Sequence, residues 1–286
     1  MSILMINSQE DRYEENIGEV VNVALNDDDK RIILISGPSC AGKTTTTRKI
    51  TEGIVAAGRR ALSVSLDDFY LNDVDVPLRE DGTKDLETVY SLDLDYLHVF
   101  LTDLMAGKTA MLPSYDFVSK NRRDEYTPVS ITEKDVVIIE GLHALNPVIY
   151  SGYVSEKNLL RVYLYVESPY DFDPRFIRRM VRDYFYRGVS GERTFAVWKD
   201  VREGESLYID PYIDYADVRI NTFFTYEDGV HVKAARKILS EISENSDYYG
   251  KAQRMLRSLK DVDPVDFSLV PENSVLREFM KDCYEQ

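Results

Sequence analysis

The eight residues Gly37-Pro38-Ser39-Cys40-Ala41-Gly42-Lys43-Thr44 fit G-x-x-x-x-G-K-[ST], the spacing of a loop that wraps phosphate. This motif constrains the fold because it works only between a strand and a helix. Both flanks are legible. Upstream, Arg31 to Ser36 is a short apolar run of the kind buried on both faces of a parallel sheet. Downstream, Thr44 to Ala57 reads as a helix that Gly58 stops. The two glycines let backbone N–H groups converge without Cβ clashes, and the helix N-terminus adds partial positive charge at the same point. ATP is therefore expected across Gly37, Pro38, Ser39, Cys40, Ala41, Gly42, Lys43, Thr44 and Thr45. Lys43 would reach its phosphates and Thr44 would sit on Mg²⁺.

The rest of the chain alternates strand and helix signals. Ala61 to Leu66 reads as a second strand ending in Asp67-Asp68, and 71–86 as a loop. Leu94, Leu97, Leu101, Leu104 and Met105 recur at helical spacing, so Asp93 to Ala106 is an amphipathic helix. Residues 109–134 suggest a hairpin-like excursion. Val136 to Gly141 is a buried strand with Glu140 at its C-terminal end. Leu160–Val166 and Ala216–Ile220 add strands; Arg175–Tyr186 and His231–Ile242 add helices. Shorter helices are expected at Ile17–Leu25 and Ala252–Leu259. This alternation predicts a three-layer α/β/α domain with a mostly parallel sheet over 30–245. An extension, 1–29, precedes it and a helical extension, 246–286, follows it. Ligands on such sheets lie beyond the C-terminal strand ends, where the loop, Asp67 and Glu140 all fall.

Composition narrows the function. A net charge of −15 over 286 residues disfavours nucleic acid and anionic membrane as partners, since both call for a basic surface. No apolar run reaches bilayer length. The acid-rich N-terminus does not read as a secretion signal. The two cysteines, Cys40 and Cys283, have neither zinc-type spacing nor a disulfide framework, which fits a reducing cytoplasm.

The chain lacks an Asn-Lys-x-Asp guanine-reading motif and an ABC-type signature. What remains is a set of acids and arginines suited to phosphoryl transfer to a small hydroxyl compound. Of Asp67 and Asp68, one can take the proton of an attacking hydroxyl and the other can help hold metal-bound water. Glu140, ending an otherwise apolar strand, needs a cation or donor, and Mg²⁺ would answer that. Arg175, Arg178, Arg179 and Arg182 share one helix face, with Arg187 beyond them. They read as a lid over about 175–192, with Gly188 and Gly191 permitting movement. Tyr115 and Phe117 beside Lys120 and Arg122 are placed to stack on a ring substrate or to pack in the core. His98, His143 and His231 have no visible partner.

Five motifs in order then resemble the uridine–cytidine kinase / phosphoribulokinase family. They are the P-loop, Leu66-Asp67-Asp68-Phe69-Tyr70, Tyr115-Asp116-Phe117-Val118-Ser119, Ile139-Glu140-Gly141, and Arg178-Arg179-Met180-Val181-Arg182-Asp183 with Arg187-Gly188. The tail around Val270 to Phe279 is similar to that of a bacterial uridine-kinase-like subgroup, often fused behind a TGS domain and a synthetase-like module. The chain reads as a free-standing version of that kinase domain. The resemblance implies Asp67 as catalytic base, Thr44 and Glu140 at Mg²⁺ (with Asp67 nearby), and Lys43, Arg182 and Arg187 on the phosphates. It implies Arg179, Tyr70, Glu87 and Tyr115 on the acceptor side. Lys120 stands where nucleoside kinases use a base-edge histidine, and Val189 replaces an arginine. A lysine donates but cannot accept, so it suits an anionic group better. The acceptor expected is the 5′-hydroxyl of a pyrimidine ribonucleoside. Another sugar or polyol is the first alternative and a non-catalytic ATP sensor the second. Family nucleoside kinases are often tetramers, so a homo-oligomer is compatible with the resemblance.

Overall fold

The strand before the P-loop is buried along its whole length, and its two faces feed two separate cores. Ile33 and Ile35 enter one, Ile32 and Leu34 the other. That is the period-2 signature of a central strand with helices on both sides. The computed structural model describes residues 3–169 and 172–280; Cys283 lies outside them.

The strands are β1 (Ile32–Ser36), β2 (Ala61–Ser65), β3 (Ala110–Leu112), β4 (Tyr115–Asp116), β5 (Asn121–Arg122), β6 (Thr127–Val129), β7 (Val136–Glu140), β8 (Leu159–Tyr165) and β9 (Val218–Asn221). Five of them form one parallel sheet in the order β2-β7-β1-β8-β9. The register sets Ile35 opposite Glu140 and Ser65 opposite Glu140, so the acid-bearing ends of β2 and β7 finish level with the P-loop. The expected excursion is a pair of nested antiparallel ladders, β3 with β6 and β4 with β5.

The helices are α1 (Ile3–Asn26), α2 (Lys43–Ala56), α3 (Leu94–Met105), the single turn α4 (Pro147–Tyr150), α5 (Pro174–Arg187), α6 (Gly191–Tyr208), α7 (Glu227–Ser240) and α8 (Tyr249–Ser258). Helices α1, α2, α5 and α7 share the first core with the tail residues Val275, Leu276 and Phe279, while α3 lies in the second. This is the α/β/α fold of P-loop nucleotide-binding proteins.

Two helices exceed or escape the sequence pattern. Helix α1 runs far beyond Ile17–Leu25, and its buried stripe of Ile6, Tyr13, Ile17, Val20 and Ala24 is interrupted by buried Glu10, which accepts from Tyr226. Helix α6 has no clear apolar period because it buries Gly191, Thr194, Gly204 and Glu205 beside only Phe195 and Val201. No helix among the described residues is long and apolar enough to cross a membrane.

Candidate active site

The P-loop is shaped by close approach on one side and by hydrogen-bond donors on the other. A Cβ at Gly37 would lie 2.6 Å from the Leu164 carbonyl oxygen, so β8 can pass only against glycine. Gly42 caps α2 in the left-handed region, at φ 85°, and contributes no side-chain cap. Three consecutive loop carbonyls are held from behind. Ser39 O accepts from Arg175 Nη1 at 3.3 Å, Cys40 O from Arg178 Nη1 at 3.1 Å, and Ala41 O from Thr222 Oγ1 at 2.9 Å. The C=O and N–H of a trans peptide point opposite ways, so the N–H groups of Cys40 and Gly42 turn away from these donors. That of Ala41 closes a turn onto Pro38 O at 3.2 Å. The Ser39 N–H donates to Glu205 Oε1 at 3.1 Å.

The arginine face of α5 therefore divides. Arg175 and Arg178 do not belong to a lid over the phosphates. Arg175 pairs with Glu205 at 2.7 Å and Arg178 with Glu227 at 2.6 Å, with 4% or less of each side chain exposed. A guanidinium so enclosed requires a carboxylate; Arg178 has Glu227, and Arg175 has Asp173 at 2.7 Å as well as Glu205. Arg179, Arg182 and Arg187 instead line a cavity of about 210 Å³ beside the P-loop. Buried Asp183 gathers all three, at 3.3, 3.5 and 3.1 Å. Arg179 also donates to Ser39 Oγ at 3.1 Å.

The same cavity collects Lys43, Thr44, Asp67, Tyr70 and Glu140. Lys43 Nζ donates to Gly37 O and Pro38 O at 3.0 and 3.3 Å. Asp67 sits on the 3-10 turn Leu66–Phe69 that follows β2, and its N–H donates to Ser65 Oγ. Its side chain is exposed where it opens on the cavity, and partial desolvation by the surrounding protein raises its pKa against the opposing pull of Lys43, Arg182 and Arg187. Burial likewise raises Glu140, whose Oε1 accepts from Ser65 Oγ at 2.8 Å. A carboxylate made more basic beside four cations can accept a proton from a hydroxyl while the cations meet phosphate oxygens.

The acceptor-side expectations land less tightly. Tyr70 lines the cavity, and Tyr115 packs against it tilted and Phe117 edge-on, with centroids 5.6 and 6.0 Å away. Glu87 lies under α6, where a Cβ on Gly204 would stand 2.5 Å from its own Cβ. Burial raises its carboxyl to about 7, with Arg179 opposing. Lys120 is at the β4–β5 tip, 60% exposed and 4.0 Å from Asp73; it does not line the cavity.

Among the described residues no cluster of three or more His, Cys, Asp or Glu could hold a metal on its own. Thr44, Asp67 and Glu140 nonetheless bring hard oxygen donors to one cavity. That set suits Mg²⁺, which takes one or two carboxylates and completes its shell with water and phosphate.

Sequence reasoning missed Glu205, Thr222 and Glu278. The Glu278 Oε2 accepts from the Thr45 N–H at 3.1 Å and from Thr45 Oγ1 at 2.7 Å, and the residue lines the cavity. No local signal marks an acid that meets the P-loop from the far end of the chain.

A P-loop, a strand-end aspartate and a ring of arginines around one cavity define a small-molecule kinase of the P-loop class. The model of the Phosphoribulokinase / Uridine kinase family matches residues 32–227, and the chain belongs to that family. It is 33% identical over 190 residues to a uridine kinase of Macrococcus caseolyticus, covering 66% of this chain and 86% of that one. A uridine kinase of Staphylococcus aureus is 30% identical over the same coverage. A Bacillus stearothermophilus structure described as a possible uridine kinase shares the fold, with a TM-score of 0.50 at 18% identity over 72% of this chain and 98% of that one. As a kinase of this family the protein is an ATP-binding transferase.

Proposed function

We propose that the protein transfers the γ-phosphoryl group of ATP, with Mg²⁺, to the 5′-hydroxyl of a pyrimidine ribonucleoside in the cytoplasm. The observation that carries this reading is Asp67, a carboxylate sharing one cavity with Lys43, Arg182 and Arg187. The names of the relatives support the acceptor class. ATP lies along Gly37 to Thr45. Asp67 takes the hydroxyl proton as the oxygen attacks. Lys43, Arg182 and Arg187 meet the charge on the transferring group, and positioning supplies most of the rate. Thr44 and Glu140 hold Mg²⁺, which neutralises phosphate charge when bound. Arg179, Tyr70, Tyr115 and Glu87 orient the acceptor.

A second acceptor, another sugar or polyol, is favoured by one observation. Lys120 is exposed, tied to Asp73, and carries no base-reading acceptor. ATP consumption across nucleosides, sugars and polyols, run beside Asp67→Asn, tests both. Turnover with uridine or cytidine that falls by about three orders of magnitude in the variant, with ATP binding kept, supports the first reading. Turnover with a different acceptor replaces the substrate and keeps the mechanism. ATP binding with no acceptor-dependent turnover in the wild type sinks both.

A further inference from the structure

The C-terminal segment reaches the catalytic cavity with a carboxylate, Glu278, to which the proposed phosphoryl transfer assigns no part. Helix α2 begins at Lys43, so the N–H of Thr45 belongs to its first turn, where donors have no partner within the helix. Such donors, at the positive end of a helix and beside a P-loop, are the ones phosphate oxygens use. Here that N–H goes to Glu278 Oε2 at 3.1 Å, and Thr45 Oγ1 adds a second bond to the same oxygen at 2.7 Å.

Glu278 is not a loose surface acid. It lies on the 3-10 turn Val275–Phe279, capped by Ser274 Oγ, and three residues of that turn, Val275, Leu276 and Phe279, are fully buried. The turn touches the phosphate loop directly, since a Cβ on Gly42 would stand 2.2 Å from Val275 Cγ2. The ring of Phe279 lies 5.1 Å from the Arg178 guanidinium, behind the same loop. Packing thus delivers one carboxylate oxygen to one helix-end donor.

A carboxylate and a nucleotide phosphate cannot both accept from this N–H. One backbone hydrogen serves one strong acceptor, and two anions at hydrogen-bond spacing repel in a partly buried cavity. We propose that Glu278 is a built-in phosphate mimic that competes with the nucleotide for the N-terminus of α2 and sets the affinity of the site for ATP. The tail turn withdraws as nucleotide binds. The inference rests on the ATP-kinase reading and adds to it a determinant of nucleotide affinity.

The test is the Kd of Mg²⁺–ATP by calorimetry for wild type and Glu278→Gln, with no acceptor present. Glutamine keeps the shape and removes the charge, so the variant should bind about tenfold more tightly. An equal or weaker Kd overturns the competition and leaves the kinase reading standing. Lack of ATP binding to both proteins overturns both. Loss of uridine turnover with the Kd difference intact touches only the acceptor. Should the variant fold poorly, hydrogen exchange on the wild-type protein decides. Amides of residues 275–280 should lose protection when Mg²⁺–ADP binds, and protection that stays or rises overturns the proposal.

Discussion

Helix α5 carries two sets of arginines that differ in what they face. Arg175 and Arg178 are buried, each against one glutamate, and each donates to a P-loop carbonyl. Arg179, Arg182 and Arg187 open on the cavity and share Asp183. The residue type is the same and the helix is the same. What differs is the surplus of donors. A guanidinium saturated by a carboxylate and carbonyls has nothing to offer a substrate, and its work is to fix backbone. Three guanidiniums around a single carboxylate leave positive charge unspent, and that charge is available to phosphate. The first set shapes the cradle and the second fills it with field.

The comparison breaks most visibly at Arg178. Arg178→Met should cost about 4 kcal/mol of stability, because Glu227 is left charged and buried with no partner. Thermal unfolding measures this, and Arg178→Met combined with Glu227→Gln should recover a good part of the loss. A variant that melts within about 2 °C of wild type would mean that Arg178 is not needed to hold the loop. Arg182→Gln should behave in the opposite way. Turnover should fall by about 10²-fold, near 3 kcal/mol of transition-state stabilisation, while melting changes little. If kcat holds and only the melting point moves, the two sets are alike and the division is wrong. Asp183→Asn sits between them. Releasing one charge from under three cations should cost about tenfold in kcat through loss of arginine placement, with a smaller loss of stability. The split between kcat and the KM for ATP reads placement apart from binding.

How much of this was legible follows the same line. The P-loop, the strand that leads to Asp67, the strand that ends in Glu140, and the parallel sheet were readable because each depends on local sequence: a fixed spacing, an apolar run, an acid at or just past its end. The division of the arginines was not readable. Positions 175, 178, 179 and 182 lie on one face by helical geometry, and the carboxylates of Glu205 and Glu227, brought by α6 and α7 and joined at Arg175 by the helix-capping Asp173, decide which of them are spent. Helix α6 was hidden because small and polar residues fill its buried side. The upper half of α1 was hidden by Glu10, a buried acid whose partner, Tyr226, lies on the far side of the sequence. In each case the missing information was a long-range partner, and a polar residue in the core is uninterpretable until that partner is known.

Glu87 gives the most selective test, because it senses both arginine sets at once. Arg179 pulls its pKa down and Glu205, the partner of Arg175, pushes it up, while burial dominates and holds it at about 7. A glutamate raised in this way stabilises the fold most below its ordinary value of 4.5, and that contribution is lost as pH rises through about 7. Glu87→Gln removes the titration. The variant and wild type should therefore melt alike near pH 4, and the variant should be the more stable by about 2 kcal/mol at pH 8, allowing for partial solvent access. A gap that is constant with pH would show that Glu87 ionises as freely in the folded chain as in the unfolded one. Repeating the measurement in Arg179→Gln sharpens the comparison further. Without that opposing charge the glutamate should titrate still higher, so the gap should go on growing to a higher pH and level off at a larger value. An unchanged plateau would place Glu87 with the buried pairs and away from the cavity arginines.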